Sequence, residues 1–170
     1  MNSGAIQLQS LDYRSSKAYL LTFAFIIGNI ALPQICHLIP NGGFIFLPIY
    51  FFTLVGAYKY GWKLGLLVAV FSPLVNNLLF GMPPMAVLPA VLLKSVLLAL
   101  SAGIAASYFK RLSIPILVLV VLAYQLLGTL GEWALTGSFV DAIQDFRLGI
   151  PGMLLQVFGG YLLIKYLLRD

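Results

Sequence analysis

The stretch AVLPAVLLKSVLLALSAGIAASYF, residues 86–109, is apolar throughout except for Lys94 and a few small hydroxyl residues, and it decides the fold. A helix crosses the hydrocarbon of a bilayer with roughly 17 to 25 such residues. Five further runs share this character, and the expected helices cover about 18–36, 44–59, 62–80, 86–109, 114–135 and 148–168. The run at 44–59 is the shortest. We therefore expect an all-α polytopic membrane protein, with residues 1–170 forming a single domain built as a six-transmembrane-helix bundle.

Composition agrees. The chain is 61% hydrophobic and only 9% charged, where a soluble domain carries about 25% charged residues. Its net charge of +5 does not point to nucleic acid, because the basic residues form no cluster or stripe. They act instead as topology signals. Arg14 and Lys17, Lys59 and Lys63, Lys110 and Arg111, and Lys165 and Arg169 fall at every second connection, while the opposite connections hold Arg147 as their only Lys or Arg. By the positive-inside rule this predicts N-in, C-in topology, both termini cytoplasmic. Met1–Ser16 is polar and lacks a basic n-region and a cleavage site before Tyr19, so it reads as retained rather than as a signal peptide. Single Cys36 beside the only histidine, His37, makes neither an intramolecular disulfide nor a metal-ligand pattern. No metal and no cofactor is expected.

Pro40-Asn41-Gly42-Gly43 and Gly81-Met82-Pro83-Pro84 read as tight outer turns. The third outer connection is longer. Between Ser138 and Phe146 it sets Phe139, Val140, Ile143 and Phe146 against Asp141, Gln144 and Asp145, a weak amphipathic pattern for a helix across the mouth of the bundle. That helix is either a lid or a plain interfacial bridge.

An ionised side chain in hydrocarbon costs roughly 2.5 to 3.5 kcal/mol on insertion scales. Lys94 and Glu132 sit deep in their runs and therefore call for an explanation. Gln125, Gly128, Thr129, Glu132 and Thr136 share one face of the fifth helix, at spacings of three and four. Gly149, Gly152, Gln156 and Gly159 or Gly160 offer a facing groove on the sixth. At about 1.5 Å per residue, Lys94 and Glu132 both belong to the outer half of the membrane. Asn76, Asn77 and Trp133 reach a similar level. Two compatible readings stand: an internal ion pair fixing two helices, or recognition of the polar ends of a small solute, with Trp133 and Tyr124 supplying aromatic surface. Stripes of small residues recur as Gly61, Gly65, Ala69, Ser72 and Asn76, and as Ser95, Ala99, Ala102 and Ala106. These read as close helix packing. For Ala24 and Gly28 on the first helix, docking of another membrane subunit is a second reading.

Enzymatic chemistry finds no support in the sequence. There is no Gly-x-Ser-x-Gly elbow, no His-Glu-x-x-His and no P-loop, so any energy from ATP must come from another chain. A self-contained carrier is expected to show two related halves with helices interrupted at corresponding positions, which the sequence does not display.

The Pro-Asn-Gly-Gly turn after the first helix resembles a known pattern, as do Gly61-Trp-Lys-Leu-Gly65 opening the third helix and Ser72-Pro-Leu-Val-Asn-Asn-Leu-Leu-Phe-Gly-Met-Pro-Pro84. With the six-helix topology, they are similar to the substrate-binding S components of energy-coupling factor (ECF) vitamin transporters. The resemblance covers nearly the whole chain. It implies a bacterial or archaeal cytoplasmic (inner) membrane and a vitamin-like substrate captured from outside. The partners it implies are a transmembrane coupling subunit and two ATPase subunits. It also implies a pocket near the outer face, made by helices 4 to 6 with the loops after helices 1 and 3. The substrate-binding set is then Lys94, Glu132, Gln125, Trp133, Asn76, Asn77, Tyr124, Asn41 and Gln156. The family docks its coupling subunit on an Ala-x-x-x-Ala motif, matched here by Ala24-x-x-x-Gly28 with one departure. MreD-like scaffold proteins share the size and charge pattern without transporting solutes; they have no need for Lys94, Glu132 and Gln125 at membrane depth, and the self-contained carrier is the third reading.

Overall fold

A computed structural model describes residues 15–167; Arg14, Arg169 and the rest of 1–14 and 168–170 lie outside the described residues. The described chain is helical, with no strand. Its helices are α1 (Ser16–Cys36), α2 (Gly42–Phe46), α3 (Phe51–Tyr60), α4 (Trp62–Phe80), α5 (Leu88–Phe109), α6 (Ile114–Thr136), α7 (Phe139–Ala142), α8 (Gln144–Leu148), α9 (Ile150–Leu154) and α10 (Gly160–Leu167). A 3-10 turn, Pro48–Tyr50, precedes α3, and a π-helical turn, Leu155–Gly159, joins α9 to α10. Five helical spans are long and apolar enough to cross a membrane: α1, α4, α5, α6 and the continuous Ile150–Leu167. This is the architecture of a multi-pass membrane protein.

The helix ends follow from local chemistry. Pro89 and Pro115 stand in the first turns of α5 and α6, where a missing N–H costs nothing. Gly81 and Gly137 close α4 and α6 in the left-handed region, at φ 67° and 70°, a conformation glycine adopts without strain.

The expected helix over 44–59 is corrected. The chain there is broken into α2, the 3-10 turn and α3, and the break falls at Leu47, which has φ 47°. Its cause is Pro48. Proline removes a backbone donor and disfavours the right-handed helical conformation in the residue before it. The α2–α3 segment makes contacts near both of its ends. At one end the Phe46 carbonyl lies against Gly152 of α9, where an added Cβ would come within 2.5 Å. At the other, the Tyr58 hydroxyl donates to the Arg111 carbonyl at 2.7 Å, in the connection between α5 and α6.

Small residues bring the helices together. An added Cβ on Gly65 would fall 2.4 Å from Ala57 of α3, and one on Gly103 would fall 2.4 Å from Trp62 of α4. Gly65, Ala69, Ser72 and Asn76 are buried, as are Ser95, Ala99, Ala102 and Ala106. Without a hydrophobic drive in lipid, backbone approach of this kind holds membrane helices to one another. The connection between α6 and α9 folds as two short helices, α7 and α8, rather than the one expected. Ser138 caps α7 by accepting from the Asp141 N–H.

Candidate functional site

Lys94 is 3% exposed, and α5 turns it toward α6. Gly128 makes this arrangement possible, since an added Cβ there would lie 2.6 Å from Lys94 Cγ. The ammonium ends between two carboxylates. Nζ donates to Asp145 Oδ2 at 2.7 Å and forms an ion pair with Glu132 Oε2. Glu132 comes from α6 and Asp145 from α8, so one lysine on α5 ties both a long apolar helix and the short α8. Asp145 is itself buried, at 9% exposure.

Below the ion cluster lies a network of neutral groups. The Tyr124 hydroxyl donates to Gln156 Oε1 at 2.9 Å and accepts from Gln125 Nε2 at 3.1 Å. All three side chains are fully buried. Gln156 stands on the π-helical turn, a local widening of the helix that recurs at functional sites. Tyr50, on the 3-10 turn, packs its ring 5.7 Å from that of Tyr124 and lies within electrostatic reach of both Asp145 and Glu132. The two interruptions of the helical backbone, the 3-10 turn and the π-helical turn, thus meet through the Tyr50–Tyr124 ring contact and the Tyr124–Gln156 bond.

The remaining sequence-derived residues are placed differently. Asn76 is buried and accepts from Gln34 Nε2 at 3.3 Å, so it joins α4 to α1. Asn77 donates to the Pro83 carbonyl at 2.7 Å and pins the loop that follows α4. Asn41 is exposed and starts α2 at φ 57°. Trp133 is 46% exposed and meets Phe139 of α7 edge to face, with ring centroids 5.4 Å apart. Ala24 is exposed, whereas Gly28 gives its side-chain space to the Phe52 ring of α3, 2.7 Å from an added Cβ. Of the sequence-derived residues, Glu132 pairs with Lys94, Tyr124, Gln125 and Gln156 bond one another, and Asn76, Asn77, Asn41 and Trp133 stand in other bonds or on the surface.

Two participants escaped the sequence reading, Asp145 as partner of Lys94 and Tyr50 beside Tyr124, and so did a separate buried node at Asn29. Asn29 is fully buried on α1; its Nδ2 donates to Thr53 Oγ1 and Ser72 Oγ, each at 3.1 Å, and its Oδ1 accepts from the Phe52 N–H at 3.0 Å. A signal existed for two of them. An amide inside the apolar run 18–36 marks Asn29, and the pair Asp141 and Asp145 marks an acidic connection between the last two apolar runs.

Comparisons with family models, with curated proteins and with solved structures find no match to this chain.

Proposed function

We propose that this chain is the membrane-embedded solute-binding subunit, or S component, of an ECF-type importer. It captures a vitamin-sized molecule from the outer face and passes it inward with a separate coupling subunit and ATPases. The observation that carries this reading is the charged and only partly bonded cluster at Lys94, Glu132 and Asp145. It lies between helices apolar enough to span a membrane and is closed on one side by α8. A buried charge in a membrane bundle is by default a candidate for a substrate or ion path. A scaffold that binds only proteins has no use for it.

On this reading α8 is the lid, and the Lys94–Asp145 contact is what holds it shut. The broken α2–α3 segment serves as the second crossing, because its ends meet the start of α9 and the α5–α6 connection. This brings the number of crossings to six and keeps Lys59, Lys63, Lys110 and Arg111 on one side, as N-in, C-in topology in a cytoplasmic membrane requires. The helix interruptions fall in the second and last crossings. Those are not corresponding positions of two halves, which argues against a self-contained carrier. Ala24, exposed on α1, is the point offered to a coupling subunit.

Mass spectrometry of the protein purified from its own membranes tests the reading directly. A stoichiometric small molecule is expected; reproducible absence of any, together with uptake unaffected by deleting the gene, would rule it out. Ala24→Trp is expected to stop ATP-driven uptake while leaving solute binding by the isolated chain intact. Loss of both in a folded protein would take α1 out of the docking role.

A further inference from the structure

Resting on the solute-binding reading above, we infer that the ligand of the Lys94 cluster is an organic cation whose N–H groups take the place now held by the Lys94 ammonium. Two independent observations lead there. The first is charge: two carboxylates converge on one ammonium, leaving one formal negative charge in excess in a buried site. An anionic ligand would have to displace Asp145 or Glu132 from Lys94 and would add to that excess. A cation removes it.

The second is hydrogen bonding. Buried polar atoms in native proteins are nearly always partnered, so the exceptions need an account. Among the described residues, and apart from Thr22 Oγ1 on α1 and Glu132 Oε2, which the Lys94 ammonium occupies, Ser95 Oγ, Gln125 Oε1, Thr129 Oγ1 and Gln156 Nε2 are buried without a hydrogen-bond partner. Gln125 Oε1 can accept, Gln156 Nε2 can donate, and the two hydroxyls can do either. These atoms belong to α5 beside Lys94, to the buried face of α6 between Gln125 and Glu132, and to the π-helical turn. Open capacity of this kind marks the place for a polar ligand head, and the excess of carboxylates beside it sets that head's charge as positive. The lysine stem can yield its place: it is flexible, and Gly128 leaves the facing side of α6 bare beside it. Release of Lys94 from Asp145 would at the same time free α8, so arrival of the cation and movement of the cover are one event.

The test uses the full chain in lipid nanodiscs and three probes on one skeleton: benzylammonium, benzyl alcohol and benzoate. Saturable binding is expected to be at least about tenfold tighter for benzylammonium than for benzoate, and Glu132→Gln should weaken benzylammonium by about tenfold or more. Lys94→Met is the decisive variant, because it raises the negative excess. It should leave benzylammonium binding equal or tighter, whereas a site for an anion would be lost. Asp145→Asn serves as a second carboxylate variant should Glu132→Gln fail to fold. Tighter binding of benzoate, or loss of benzylammonium binding in folded Lys94→Met, overturns the inference and leaves the solute-binding reading standing. No saturable binding of any probe to the wild type or the variants overturns the inference; it overturns the reading beneath it as well only if no small molecule co-purifies with the protein.

Discussion

Two polar clusters are buried in this bundle, and they are built on opposite plans. At the contact of α1, α3 and α4, Asn29 uses its donor and its acceptor on Thr53, Ser72 and the Phe52 N–H. That node is neutral, and every contact made by Asn29 is reciprocated. At the contact of α5, α6 and α8, Lys94 faces two carboxylates, and several oxygens beside it stay open. A saturated neutral node holds helices in register and has nothing left to offer a ligand. An unsaturated charged one holds them less economically, and its open valences are what a ligand can use. The membrane sharpens the contrast, since hydrocarbon supplies no water to complete an unfinished bond.

The comparison is most easily broken at Asn29. Asn29→Ala strands the Phe52 N–H and two hydroxyls, each a buried group whose loss of a partner costs about 1 to 3 kcal/mol. A fall in stability of about 3 kcal/mol is expected in thermal unfolding in detergent, with ligand affinity of the folded fraction unchanged. A loss of affinity at unchanged stability would reverse the roles of the two clusters. Asp145→Asn comes next. Glu132 still holds Lys94, so the bundle should keep its melting behaviour, but amide exchange across 138–149 should quicken about tenfold, equal to about 1.4 kcal/mol of local opening. Uniform quickening over all helices would show instead that Asp145 supports the whole bundle. Gly128→Ala has the smallest effect on the fold. The new methyl meets only the flexible stem of Lys94, at a cost near the lower end of the roughly 1 to 3 kcal/mol that overpacking brings. Solute affinity should fall by more than that; equal losses would place Gly128 in packing alone.

The sequence carried the long apolar helices well, because length and hydropathy are local properties. Residues 62–80 and 114–135 match α4 and α6 to within a residue, and α5 starts two residues later than expected. The 44–59 segment failed for a local reason as well: Pro48 lies inside the apolar run, and hydropathy alone does not register it. The site was legible in half. Periodicity on α6 put Gln125 and Glu132 on one face, and Gln156 fell opposite. The bond from Lys94 to Asp145 joins residues 51 positions apart, and nothing in either neighbourhood dictates it. Asn76 and Asn77 were placed by depth, and depth alone does not say which neighbour an amide will choose.

The π-helical turn at Leu155–Gly159 carries a consequence for variation in length. Such a turn holds one residue more than the α-helix it interrupts, and it absorbs the roughly 100° by which that residue would otherwise rotate everything beyond it. Deleting a single position there would let the segment relax into an unbroken α-helix of the same sequence character. The inward faces of α9 and α10 would stay in phase, with Gly160 still against Leu54, while the widened turn that sets Gln156 against Tyr124 would be gone. A natural or engineered chain one residue shorter in this turn should therefore insert and fold while losing the Tyr124–Gln156 bond, so that indels at this position separate proteins that keep the bundle from those that keep the site.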